Sequence, residues 1–141
     1  GVLDESGMEP VQNRIEKLPF MDWRQLPAVI AGLDINLMPL ENSLFHWCKS
    51  ENKWTEAALV KVPSVMSRNC EMEYVVENGK DGWMCTTKEE WVNALEALVT
   101  DEKARKAMGE AAHQKVMEHY LTVNTGKDAM EELLCSESYT K

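Results

Sequence analysis

Short apolar runs alternate along this chain with stretches whose apolar residues recur every three or four positions, the mark of parallel strands joined by crossover helices. Arg14 to Leu18 reads as a first strand, Asp34 to Met38 alternates as a half-buried second, and Ser64 to Ser67 and Trp83 to Cys85 follow. Between them Asp22 is placed to cap a helix running to about Ala31, with Gly32, the residue type that most readily turns left-handed, at its end. A second helix is expected from Ser50 or Glu51 to about Val60, and Lys61-Val62-Pro63 stops it because a proline pushes its predecessor out of helix. A third spans roughly Glu71 to Glu77, closed by Asn78-Gly79, and Asp81-Gly82 turns into the last strand.

The last third is helical. Thr87 and Glu90 have capping-box spacing ahead of Trp91, Leu95 and Leu98. Another helix starts near Asp101 with Ala104, Met108, Ala111, Ala112 and Val116 on one face, and Gly109 inside it costs roughly 1 kcal/mol of propensity relative to alanine. Asn124 to Cys135 reads as a final helix led by Thr125. Residues 1–13 lack periodicity and read as a linker or tail, leaving 14–141 as one α/β unit with about four parallel strands.

Composition narrows the classes. The 141 residues carry 24 acidic against 15 basic side chains, a net charge of -9, which gives nucleic acid or an anionic bilayer little Coulombic reason to bind. Forty-four per cent hydrophobic residues, with five Trp and nine Met, are enough for one core and exclude a disordered chain. Trp23, Trp54 and Trp91 are expected in the core or at its boundary. No apolar run reaches the roughly 18 residues of a membrane span, and the polar, acidic start is unlike a signal peptide, so a cytoplasmic setting is expected. Cys48, Cys70, Cys85 and Cys135 form no CxxC pair, and His46, His113 and His119 share no ligand spacing; reduced thiols, no metal and no cofactor are expected. No GxSxG, P-loop or GxGxxG occurs, and a start at Gly rather than Met suggests a piece of a longer protein.

The chemistry concentrates in Lys49 to Ala58, which follows the second strand after a loop of about ten residues. In an open α/β sheet ligands bind beyond the carboxyl ends of the strands, where the helix opening at Ser50 would begin. Its first amides lack partners within the helix and suit a diphosphate, with Lys53 adding a positive charge. Glu56, three residues on, would repel phosphate and could instead accept hydrogen bonds from a ribose diol. The plainer reading is a solvated Lys-Glu pair worth about 0.2–0.5 kcal/mol, and spacing does not separate the two.

Four pieces in order carry a resemblance: Leu-Pro-Ala-Val-Ile-Ala-Gly-Leu-Asp-Ile-Asn-Leu-Met-Pro-Leu from Leu26, Ser-Glu-Asn-Lys-Trp-Thr-Glu-Ala-Ala-Leu-Val-Lys-Val-Pro-Ser-Val-Met-Ser from Ser50, Val-Glu-Asn-Gly-Lys-Asp-Gly-Trp from Val76 and Glu-Glu-Trp-Val-Asn-Ala-Leu from Glu89. Over Leu26 to Tyr120, about two thirds of the chain, it resembles the second half of the C-terminal nucleotide-sugar-binding domain of group 1 glycosyltransferases, retaining and metal-independent enzymes of the GT-B fold. The resemblance implies a Rossmann-like sheet, a hexosyltransferase of carbohydrate or polysaccharide biosynthesis as parent, and a nucleotide-diphosphate sugar as ligand. It places Glu56 and Lys53 at the donor, beside Ser50, Glu51 and Asn52, which the helix-start reading puts there through their open amides. Glu56 matches the second of two glutamates that the family holds seven residues apart, the one on the ribose; the first, which contacts the transferred sugar, falls on Cys48. Cysteine lacks a carboxylate's acceptors, and Glu41 and Glu51 are nearby substitutes without the family spacing. Phe20 and Met21 fall where relatives meet the base through backbone, though as Phe and Met they suit a core; Ser67, Arg68 and Asn69 form a loop at the same crevice, with Arg68 read as solvated.

The resemblance also implies missing parts: an amino-terminal acceptor domain and the cations that neutralise the leaving diphosphate. The segment alone is therefore expected not to transfer sugar. In a sheet of order 3-2-1-4-5-6, two strands would be absent between the first two seen here, baring an edge that invites rearranged pairing or a homodimer. The rival reading is a noncatalytic α/β interaction domain that kept the transferase shape. A receiver-type domain is disfavoured for want of clustered acids at the strand ends.

Overall fold

The structure, a computed structural model, describes residues 8–41 and 43–127. Among them three strands form one parallel sheet in the order β1-β2-β3: β1 is Asn36–Met38, β2 Ser64–Ser67 and β3 Trp83–Cys85. Asn36 stands opposite Ser64 and Met38 opposite Met66, while Val65 stands opposite Trp83 and Ser67 opposite Cys85. The helices are α1 (Leu26–Ala31), α2 (Leu44–Trp47), α3 (Asn52–Leu59), α4 (Cys70–Val75), α5 (Lys88–Thr100) and α6 (Glu102–His119). The two later strands fall where the apolar runs place them, and β1 occupies the end of its run.

Side chains alternate across a strand, so β2 feeds two apolar layers. Met66 joins Met38, Met84, Trp54, Met72 and Val116 on the face that holds α3, α4 and α6. Val65 joins Cys85, Ala94, Leu98 and Met108 on the face covered by α5. The local signals act as read. Thr87 Oγ1 accepts Glu90 N–H while the Glu90 carboxylate accepts the Thr86 and Thr87 amides, and Asp101 Oδ1 accepts the amides of Lys103 and Ala104 to start α6. Gly109 is where α6 touches the chain leaving α3: a Cβ there would lie 2.1 Å from the carbonyl oxygen of Lys61, itself left-handed at φ 62°.

Four expectations change. Arg14–Leu18 is no strand: Glu9–Arg14 is a 3-10 helix without buried residues, and among the described residues the sheet has three strands rather than four. Glu16, Lys17, Leu18 and Phe20 are all exposed, so this run has no apolar layer to hold it extended, and among the described residues it is not part of the sheet. It does not rearrange onto the edge of β1. Asp22 caps a 3-10 turn, Trp23–Gln25, that leads into α1, and Gly32 ends α1 at φ -82°, in the right-handed region. The long loop after β1 holds the one-turn helix α2, which Ser43 caps through His46 N–H. Trp54 is fully buried and Trp91 half-buried, but Trp23 lies in solvent. Residues 122–127 begin a helix, and the rest of the segment expected to run to Cys135 lies outside the described residues.

Candidate functional site

Helix α3 begins beside the carboxyl edge of the sheet because it follows β1 through the Pro39–Glu51 connection. Apolar spacing fixes which way it faces: Trp54, Ala57 and Ala58 are buried, so Asn52, Lys53 and Glu56 are turned to solvent. Trp54 locks that rotation. Its Nε1 donates to the carbonyl oxygen of Asp81 at 2.9 Å, and its ring meets Tyr120 edge-on at 5.8 Å. The Asp81 carboxylate is held in turn by Lys115 Nζ at 2.7 Å and the Glu77 amide at 2.8 Å. On the strand side, Asn36 Nδ2 donates to Ser64 Oγ at 3.0 Å and reaches the Lys53 carbonyl at 3.4 Å.

Glu51 is the residue before α3 and gives its amides no side-chain cap; the first intrahelical bond runs from Thr55 N–H to Glu51 O. The amides of Asn52, Lys53 and Trp54 therefore belong to the set that a helix start leaves open. Lys53 and Glu56 share the solvent face, and no ion pair joins them among the described residues. The plain solvated pair is not what the geometry forms.

A cavity of about 350 Å³ opens over the ends of all three strands. Leu40 and Glu41 enter it after β1, Ser67 and Asn69 after β2, and Cys85 and Thr86 after β3. Ser67 ties two of these exits together: its Oγ accepts the Leu40 amide at 2.8 Å and donates to the Leu40 carbonyl at 3.1 Å. At the cavity rim Arg68 pairs with Glu73 at 3.0 Å, both side chains exposed, so Arg68 is the solvated loop arginine expected from sequence, held in a surface ion pair. His46 Nδ1 lies 2.8 Å from Ser43 Oγ, which orients the imidazole in the wall. Asn69 Oδ1 accepts the Met72 amide at 2.8 Å and so starts α4, while its buried Nδ2 has no partner. Burial pushes the Cys85 thiol above its ordinary value of 9.0, keeping it protonated in this wall.

The five residues expected at the donor fall into place unevenly. Lys53, Glu56 and Asn52 lie on one exposed helix, with Ser50 and Glu51 just ahead of it, yet none of the five lines the cavity. Cys48 ends α2, exposed and outside the cavity lining, whereas Glu41, one of the two substitutes considered, is part of it. Phe20 stands wholly in solvent instead of a core, and Met21 is only half-buried. The pair His46-Trp47, which sequence places in the long loop where an imidazole could meet substrate but which reads more simply as a surface histidine, lines the wall, and Glu73 is the wall residue that sequence reasoning passed over. Among the described residues no group of His, Cys, Asp or Glu is arranged to hold a metal ion, and no helix is long and apolar enough to cross a membrane.

A parallel sheet with helices on both faces and a crevice at its carboxyl edge defines a Rossmann-like α/β module. Residues 4–101 match the family described as Glycosyl transferases group 1, and the chain belongs to that family. Its fold is that of the C-terminal domain of a group 1 glycosyltransferase, LpcC from Francisella tularensis, with a TM-score of 0.58 at 17% sequence identity, over 74% of this chain and 53% of that one. The chain thus spans about half the length of that solved domain. No curated protein matches it in sequence.

Proposed function

We propose that this chain is the donor-side part of a retaining glycosyltransferase that moves a hexosyl group from a nucleotide diphosphate to an acceptor. One observation carries the reading: Lys53 and Glu56 stand unpaired with each other on the solvent face of α3, beside open amides at the crevice edge. In this reading the amides after Ser50 and Glu51, those of Asn52 and Lys53, together with the Lys53 ammonium, hold the diphosphate, and Glu56 accepts from the ribose. As the bond to phosphate loosens, negative charge grows on the diphosphate and positive charge at the anomeric carbon; the helix start answers the first. The acceptor site belongs to a separate amino-terminal domain and the further cations to the earlier part of the carboxyl-terminal domain, so the 141 residues alone turn over no nucleotide sugar. The setting proposed is cytoplasmic, the pathway carbohydrate or polysaccharide biosynthesis, and the open edge of β1 is where a second copy would pair.

Calorimetric titration of the full-length protein with UDP and GDP tests the donor site. Binding that Glu56→Ala weakens tenfold or more supports it; heat that is absent, or unmoved by Glu56→Ala and Lys53→Ala, favours a noncatalytic scaffold. That second reading draws on Cys48, which occupies the position of the family's sugar-contacting carboxylate. Light scattering of the eluted protein decides the dimer: a single monomer mass removes it.

A further inference from the structure

We infer that Lys115 is a positioning residue for donor binding: through Asp81 it holds Trp54, and through Trp54 it sets the rotation at which α3 presents Lys53, Glu56 and its open amides. This rests on the donor reading above and extends it to residues that touch no ligand.

Helix α3 has little of its own to hold it. It is eight residues long, no side chain caps its start, and two of its three buried residues are Ala57 and Ala58, too small to resist turning. The third, Trp54, is fully buried. At 3.6 residues per turn Trp54 stands about 100° around the helix from Lys53 and about 160° from Glu56, so any turn of the helix about its axis moves all three together. Trp54 also carries one of the open amides itself. Where its ring is seated therefore decides where the charged face and the amides point.

Helix α6 supplies the seat. Its successive contacts run antiparallel to α3: Gly109 packs on the Lys61 carbonyl just past the end of α3, His113 Nδ1 lies 3.1 Å from the Ala58 carbonyl oxygen, and Lys115 and Tyr120 meet Trp54 in the first turn. Lys115 Nζ lies 6.0 Å from the centre of the Trp54 ring and 2.7 Å from the buried Asp81 carboxylate. The other oxygen of that carboxylate takes the Glu77 amide at 2.8 Å. The turn before β3 is thus tied on both sides, and it is this turn that offers the Asp81 carbonyl to Trp54 Nε1 at 2.9 Å. The fit leaves no slack, since a Cβ on Gly82 would lie 2.9 Å from Val76 and 3.4 Å from Trp54 Nε1. Removing the cation strands a buried carboxylate, which the turn can relieve only by moving the carbonyl that holds the indole. A residue remote from the ligand then changes affinity by unseating an element that contacts it.

The test titrates the full-length protein with UDP and GDP by calorimetry, comparing wild type with Lys115→Met, Lys115→Arg and Thr87→Ala. Thr87→Ala serves as a control because it weakens the start of α5, on the other face of the sheet. Lys115→Met is expected to bind the preferred diphosphate about fivefold more weakly, while Lys115→Arg, which keeps the cation, and Thr87→Ala stay within about twofold of wild type. Hydrogen exchange of the Trp54 indole N–H, referred to each variant's own global stability, should be about tenfold faster in Lys115→Met than in Thr87→Ala. Unchanged affinity in Lys115→Met, an equal loss in Thr87→Ala, a loss that Lys115→Arg does not recover, or an indole that exchanges alike in both variants would each overturn the inference. Binding that Glu56→Ala weakens and Lys115→Met does not leaves the donor reading standing without it. Should Lys115→Met not fold, Asp81→Asn, which keeps an acceptor for the Glu77 amide and drops the charge that Lys115 holds, carries the same expectation. A wild-type protein that binds neither diphosphate removes the donor reading, and this inference with it.

Discussion

The ammonium of Lys115 lies 2.7 Å from the carboxylate of Asp81, which is 4% exposed against 28% for the lysine. The aspartate also takes the Glu77 amide through its side chain and the Trp54 indole through its carbonyl, so the pair connects α6, the turn before β3 and α3. Removing the lysine leaves a buried charge with one remaining donor. Lys115→Met is expected to destabilise the fold by about 2 kcal/mol, and pairing it with Asp81→Asn should recover part of that loss. Urea unfolding of the two single variants and the double variant measures the coupling; strictly additive values would show that the pair contributes nothing.

Gly109→Ala replaces a poor helix former with the best one, a gain of about 1 kcal/mol in a free helix. Here the new methyl would meet backbone, the carbonyl oxygen of Lys61 at 2.1 Å, which cannot swing aside as a side-chain end can. The clash should outweigh the gain and leave a net loss of about 1–3 kcal/mol. A raised unfolding midpoint would mean that α6 is not seated against this turn.

The helix start at Thr87 is reciprocal, and Thr87→Ala should cost about 1 kcal/mol. Amide donation from Thr86 and Thr87 holds the Glu90 carboxyl below its usual 4.5. The folded protein therefore binds that proton less readily than the unfolded chain, so the stabilisation is present above pH 4.5 and fades as pH falls through the lower folded value. Unfolding midpoints of Glu90→Gln should lie below wild type at pH 7 and converge with it at acid pH; parallel pH curves would contradict this.

Thiol reactivity should divide by burial. Cys48 and Cys70 are exposed, whereas Cys85 is buried and its thiol is pushed up by desolvation. Brief treatment with iodoacetamide at neutral pH should label the first two in the native protein and Cys85 only after denaturant is added. Mass mapping of the peptides reads the order directly, and early labelling of Cys85 would place it outside the core.

Much of this was legible from residue order because the signals are local. Ser64–Ser67 and Trp83–Cys85 are apolar runs bounded by Pro63 and by Asp81-Gly82, and the Thr87-Glu90 spacing describes a cap without tertiary information. Arg14–Leu18 misleads because a run with two aliphatic residues becomes a strand only when a neighbour accepts its hydrogen bonds, which no spacing reveals. The site divides in the same way. The exposed face of α3 follows from helical periodicity, but the cavity draws on three separate chain exits, and only the sheet's register brings Glu41, Ser67 and Thr86 to one wall.

Methionine supplies much of the interior around the central strand, with Met38, Met66, Met72 and Met84 in one layer and Met108 in the other. Thioethers adapt to irregular gaps but become polar when oxidised. Peroxide can reach these sulfurs only when the layers part, so the rate of sulfoxide formation at Met66 would time the opening of the whole domain and serve as a built-in clock of its unfolding.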